Sequence, residues 1–213
     1  MILHIFNNAE EIGKAVANLI IEQVNEKPDS VLGFATGASP VPTYQALIKA
    51  YNKGKVSFKD ITTFNLDEYC DLPKDDKNSY YTFMHENLFN HIDVKEENVN
   101  FLNGNAEDAE AECVRYDDLL TENKIDIQLL GVGRNGHIGF NEPANKFTKG
   151  SFKVRLTQST IDANSVYFDE DTMPHYALTM GTVSIMKSKQ IILIATGRSK
   201  SDAIDGLVNG DIT

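Results

Sequence analysis

SVLGFATGASPVPTYQALIKAY, residues 30–51, decides the fold. Ser30 to Ala35 is an apolar run of strand length, and Thr36-Gly37-Ala38-Ser39-Pro40 is a tight loop. Pro42 to Tyr51 has helical spacing, with Pro42 in the first turn where its missing N–H has no intrahelical partner to lose. Strand, glycine loop and helix thus follow one another directly. On the amino-terminal side, Met1 to Phe6 reads as a short Ile-rich strand, and Asn7, Asn8, Glu10 and Glu11 as the acidic start of a helix carrying Ile12, Val16, Leu19 and Ile20.

On the carboxyl side the alternation continues. Ile61 to Leu66 is a strand ending in Asp67-Glu68-Tyr69, followed by a helix around Tyr80 to Phe89. Val99 to Leu102 is a short strand, Ala106 to Glu122 a helix, and Ile125 to Leu130 a strand opening into Gly131-Val132-Gly133. Asn141 to about Ser151 has no period and reads as a long loop or lid. Gln190 to Ala195 is a strand, Thr196 to Lys200 a loop, and Ser201 to Val208 a helix. This order predicts an α/β fold: a single domain over residues 1–213, Rossmann-like and doubly wound, with a mostly parallel sheet and helices on both faces. Ligands in such sheets bind at the carboxyl ends of the strands, so the loops at residues 37, 67, 131 and 197 are expected on one edge.

Composition narrows the partners. With 213 residues, 41% of them hydrophobic, the chain can build one sizeable core. A formal net charge of -11 opposes general binding to a nucleic-acid backbone or an anionic membrane, yet a few amides and one or two cations can still hold a single phosphate. Cys70 and Cys113 form no CxxC pair and read as reduced thiols. The amino terminus lacks the basic flank and cleavage site of a signal peptide, and no stretch approaches the ~20 apolar residues of a membrane helix, so the expected compartment is the cytoplasm.

Three segments could carry chemistry. The Thr36–Pro40 loop offers free N–H groups and a positive helix end to an anion, or is an ordinary turn with Ser39 as helix cap. It has neither the Walker lysine nor GxGxxG spacing, so no nucleotide is expected. Lys200 on the same edge is either a phosphate cation or a solvated lysine. In FNLDEY, residues 64–69, strand alternation sends only one of Asp67 and Glu68 toward a ligand, as a base or as a simple strand-end cap. GVGRNGHIGFNEP, residues 131–143, interleaves Asn135, His137 and Glu142 among four glycines. This suits a proton relay, against the alternative of a structural loop histidine. No second histidine or cysteine stands at ligand spacing, so no metal is expected.

FNLDEY and GVGRNGHIGFNEP together, with TGASP and the late ATGRSK, resemble the glucosamine-6-phosphate deaminase family over nearly the whole chain. The resemblance implies conversion of glucosamine 6-phosphate and water into fructose 6-phosphate and ammonia, without a cofactor. It implies that Asp67 takes the C2 proton and returns one to C1, that His137 is the ring-opening base, and that Glu142 supports His137 and ammonium departure. It also implies phosphate contacts at Thr36, Gly37, Ser39 and Lys200. Asn135 stands where many members carry aspartate, giving an Asn–His–Glu relay in which the amide can still fix the ring by a hydrogen bond.

Two further departures matter. A phosphate-binding arginine of some members aligns near Val166, and the basic residues of the regulatory site in hexameric members are not matched between Asn145 and Val154. The expectation is an unregulated monomer. Members of the family usually continue through another strand beyond Thr213, so a carboxyl-terminal strand is expected to be missing. The rival readings are a 6-phosphogluconolactonase and a sugar-phosphate sensor without catalysis. The carboxylate of FNLDEY and the NEP ending favour the deaminase over the lactonase, and retention of Asp67, His137 and Glu142 argues against the sensor.

Overall fold

The computed structural model describes residues 1–164, 168 and 172–210. Helix α1 (Ala9–Glu26) starts at Asn8, whose side chain accepts the Glu11 N–H at 2.9 Å, and it buries Val16, Ala17, Ile20 and Val24. Strand β1 (Val31–Phe34) is buried along its whole length and leads through residues 35–40 into α2 (Val41–Asn52). Strand β2 (Thr62–Asn65) follows, then β3 (Asp67–Tyr69), α3 (Tyr80–Asn87), β4 (Val99–Asn100) and α4 (Ala109–Glu122). The remainder comprises β5 (Ile127–Gly131), β6 (Phe152–Arg155), α5 (Gln158–Asn164), β7 (Tyr176–Thr179), α6 (Thr182–Met186), β8 (Gln190–Ile194) and α7 (Ser201–Asn209).

The main sheet is parallel, in the order β4-β2-β1-β5-β8. Its two apolar faces are covered separately. Leu32, Phe34, Ile127 and Leu129 pack with Tyr44, Leu47 and the α1 residues on one side, while Phe64, Leu130 and Tyr116 belong to the cluster on the other. Helices therefore lie on both faces, as the alternating pattern predicts. From β1 the chain winds outward to β2 and β4, then reverses through β5 to β8, so the switch point falls between β1 and β5. The crevice outside that point is where such sheets receive ligands.

Three features depart from the expectation. Met1 to Phe6 forms no strand: Met1, Ile2, Leu3 and Ile5 are exposed, and no described strand pairs with them. An apolar run becomes a strand only when a neighbour satisfies its N–H and C=O groups. Second, β3, β7 and β6 form a small antiparallel sheet of their own. Leu66 is the hand-over: its N–H donates to Phe34 of the main sheet, and its carbonyl accepts from Met180 at the end of β7. The acidic pair thus opens a new strand instead of ending the old one. The expected lid is also tied down, because the Thr148 hydroxyl and carbonyl accept from Thr182 and Val183, and the Ser151 N–H donates to Asp117.

Candidate active site

Loop 35–40 joins β1 to α2, whose first residue follows Pro40; no side chain caps this helix, so Ser39 is not the cap that a purely structural turn would use. Among the described residues, none accepts from the N–H groups of Gly37, Ala38, Ser39 or Val41. Unpaired amides at a helix start attract an anion. Thr36 and Gly37 occupy the same turn, and the Ser39 hydroxyl lies 3.4 Å from that of Thr196, which brings the β8–α7 loop alongside. Lys200 sits in that loop. Burial lowers its pKa, and the charge of Arg134 lowers it further. Arg134, in the glycine loop after β5, was not singled out from the sequence; a cation three residues beyond a strand-end glycine is its only signal.

Asp67 and Glu68 are both buried and part ways as alternation predicts. The Glu68 carboxylate accepts the N–H groups of Tyr69, Tyr80 and Tyr81 at 2.8, 2.9 and 2.8 Å, so it caps the positive end of α3 and holds β3 against it. Asp67 has no such support. Burial, and next the charge of Glu68, push its pKa up to about 8. Asp126 provides the contrast. Burial raises that carboxyl too, but Lys189, Lys27 and the Val31 N–H more than offset the rise and hold it below the usual range. Asp126 accepts from Val31 and lies just ahead of β5, at the amino edge of the sheet. One buried acid is a structural tie; the other, at the carboxyl edge, has no cation beside it among the described residues.

The cost of that arrangement is measurable. Asp67 holds its proton in the folded chain up to about pH 8 but releases it near pH 4 when unfolded, so between these values the native state binds more protons and stability falls as pH rises. Asp67→Asn removes this dependence. Its melting temperature is expected to exceed the wild type by about 3 °C or more at pH 8.5, with the gap closing by pH 5. Thermal unfolding across that range checks it.

Glycine loop 131–141 is wound tightly: Gly133 N–H donates to the His137 carbonyl at 2.8 Å, and the Ile138 and Asn141 backbones bond to each other. The His137 ring lies directly over Gly133, where a Cβ would come within 2.3 Å of ring atoms, so only glycine leaves room for it. Buried Asn141 anchors the loop through the Ile138 and Met180 carbonyls. The three polar residues are brought together, but in an order the sequence did not reveal. Asn135 lies between the others: its Oδ1 is 2.8 Å from His137 Nδ1, and its Nδ2 donates to Glu142 Oε2 at 2.7 Å. His137 Nδ1 and Glu142 Oε1 are 4.0 Å apart.

This order fixes protonation. A carboxylate only accepts, so the amide must turn its NH2 to Glu142 and its oxygen to His137. Nδ1 then carries the ring hydrogen, and the lone pair is at Nε2. Burial lowers the His137 pKa, Glu142 opposes this, and Lys200 lowers it further. The imidazole is accordingly a neutral base with Nε2 available at neutral pH. The aligned position at Val166 lies outside the described residues. Among the described residues no cluster of three or more His, Cys, Asp or Glu is placed to hold a metal, and no helix is long and apolar enough to cross a membrane.

An uncapped helix start with two nearby cations, set beside an uncompensated buried carboxyl and a neutral imidazole, suits an acid–base enzyme acting on a small phosphorylated substrate. The chain belongs to the family described as glucosamine-6-phosphate isomerases/6-phosphogluconolactonase, whose model matches residues 7–212. It is 49% identical to the glucosamine-6-phosphate deaminase of Lysinibacillus sphaericus (strain C3-41) over 209 residues, 97% of this chain and 88% of that protein. Glucosamine-6-phosphate deaminase 1 of Bacillus subtilis (strain 168) is 47% identical over 206 residues, 96% of this chain and 85% of that protein. A solved structure described as a monomeric glucosamine-6-phosphate deaminase superposes with a TM-score of 0.96 at 45% identity, covering 100% of this chain and 89% of that one. The 6-phosphogluconolactonase of Thermotoga maritima shares the fold, with a TM-score of 0.77 at 17% identity, over 99% of this chain and 89% of that one.

Proposed function

We infer that the chain converts glucosamine 6-phosphate and water into fructose 6-phosphate and ammonia. The observation that carries this reading is the buried, cation-free carboxyl of Asp67 at the carboxyl edge, since an aldose-to-ketose shift needs a base for the proton on C2. Kinship with deaminases at nearly half identity supports the substrate. In the mechanism we propose, His137 Nε2 takes the C1 hydroxyl proton as the ring opens and O5 gains one. Asp67 then removes the C2 proton; that electron pair forms the C1–C2 double bond as O1 is protonated. Return of a proton to C1 leaves a C=N bond at C2. Water adds there, and the C–N bond breaks as the nitrogen takes a proton and leaves. Glu142, through Asn135, keeps His137 in the required tautomer and favours the ammonium that departs.

Thr36, Gly37 and Ser39, with Lys200 and Arg134, hold the phosphate in this reading. Lys200→Ala is expected to raise KM about tenfold or more while kcat falls much less, because an anchoring contact is shared by ground and transition states. Steady-state kinetics check it; an unchanged KM would remove Lys200 from the site. The monomeric relative and the two free thiols, Cys70 and Cys113, support a monomer working in the cytoplasm. Turnover of glucosamine 6-phosphate set against hydrolysis of 6-phosphogluconolactone tests the reading against its rival. The first is expected to exceed the second by about a thousandfold in kcat/KM, and the reverse ranking would assign a lactonase.

A further inference from the structure

Asp67 is a buried carboxyl with no cation among the groups shown to interact with it, and one buried hydroxyl, that of Thr179, borders the same small space. Asp67 and Thr179 are direct partners in the β3–β7 ladder. Backbone hydrogen bonds link Leu66 to Met180 and Cys70 to Tyr176, so the alternation makes 67 and 179 a non-hydrogen-bonded pair, the kind whose side chains approach most closely. Thr179 is fully buried. Its Oγ1 accepts the Phe140 N–H at 3.2 Å, which leaves its own hydrogen to donate. Gly139 closes the arrangement: with φ at +56°, its missing Cβ would sit 3.0 Å from Asp67 Oδ2 and 3.0 Å from Thr179 Oγ1. Both oxygens therefore border one small space that a side chain at position 139 would fill.

We propose that Thr179 is a positioning residue for the base: its hydroxyl turns its hydrogen onto the Asp67 carboxylate when Asp67 ionises, and aims the free oxygen at the substrate. Among the described residues, the titratable groups that share an interaction with Asp67 are Glu68 and Tyr69 on its own strand, Tyr80 of α3 and Tyr116 of α4, and none of them is a cation. A neutral donor is thus the available way to stabilise the charge without removing its basicity, as a neighbouring lysine would. The inference rests on the reading of Asp67 as the C2 base.

The test compares Thr179→Val, which keeps the shape and loses the donor, with Thr179→Ser, which keeps the donor. Carboxyl titration by NMR in protein carrying 13C-labelled aspartate reads the base directly, the Asp67 signal being assigned by its loss in Asp67→Asn. The midpoint is expected to rise by about one pH unit in Thr179→Val and to stay near wild type in Thr179→Ser, because loss of a hydrogen bond to the charged form disfavours it. The acid limb of kcat/KM follows the same shift, so activity lost at pH 7 returns at higher pH. If the valine variant does not fold, Thr179→Ala gives the same reading. An unmoved midpoint in the donor-less variant overturns the proposal, whatever happens to kcat. Full turnover by Asp67→Asn would instead sink the assignment of the base, and the two failures are read separately.

Discussion

Asp67→Asn is expected to lower kcat for glucosamine 6-phosphate by at least about a thousandfold while leaving KM within a few fold. The amide has nearly the volume of the acid, and β3 is held to its neighbours by backbone bonds and by Glu68, so the site keeps its shape. What is lost, in the proposed mechanism, is the C2 base. Its strength comes from position: burial beside another carboxylate raises the pKa to about 8, and a base in that range is a better proton acceptor than an exposed aspartate while still partly ionised at neutral pH. A carboxylate tied down like Asp126 would be ionised and poorly basic. The variant kinetics, measured above and below pH 8, check this; a variant that retained turnover would leave Glu68 or His137 to be considered as the base.

His137→Gln is expected to cost about a hundredfold in kcat, with a smaller effect on KM. The side chain can still accept a hydrogen bond but cannot take a proton, so only ring opening should suffer. The loss should therefore be milder than at Asp67, because a fraction of the sugar opens in solution unaided. With the lone pair at Nε2 set by Asn135, and the pKa lowered by burial, with Glu142 opposing and Lys200 adding to the shift, the wild-type histidine is expected to act as a base at neutral pH. An effect on KM alone would make His137 a binding group.

The parts of this account that were legible in the sequence share a cause. Residues 30–37, 61–67 and 125–133 are apolar runs stopped by glycine or a carboxylate, and a parallel sheet buried on both faces produces that pattern. The residues proposed for the site, Thr36, Gly37, Ser39, Asp67, His137 and Lys200, were candidates for the same reason, since the ends of parallel strands collect on one edge. The small sheet was not legible: Phe152–Arg155 and Tyr176–Thr179 are short and partly exposed, and neither is a continuous apolar run closed by a glycine loop. Thr179 was hidden with them. The interposed position of Asn135 was equally invisible, because spacing within a glycine loop says nothing about which side chain lies between two others. Met1–Phe6 erred in the other direction: its composition is that of a strand, but pairing is a property of neighbours, and the described chain supplies none.

The central claim is that one chain couples isomerisation to loss of the amine. Its most direct test is to incubate the purified protein with glucosamine 6-phosphate and follow fructose 6-phosphate and ammonia in the same progress curve. The two are predicted to appear together in a one-to-one ratio from the first turnovers. Either product without the other, or no turnover by folded protein, would contradict it.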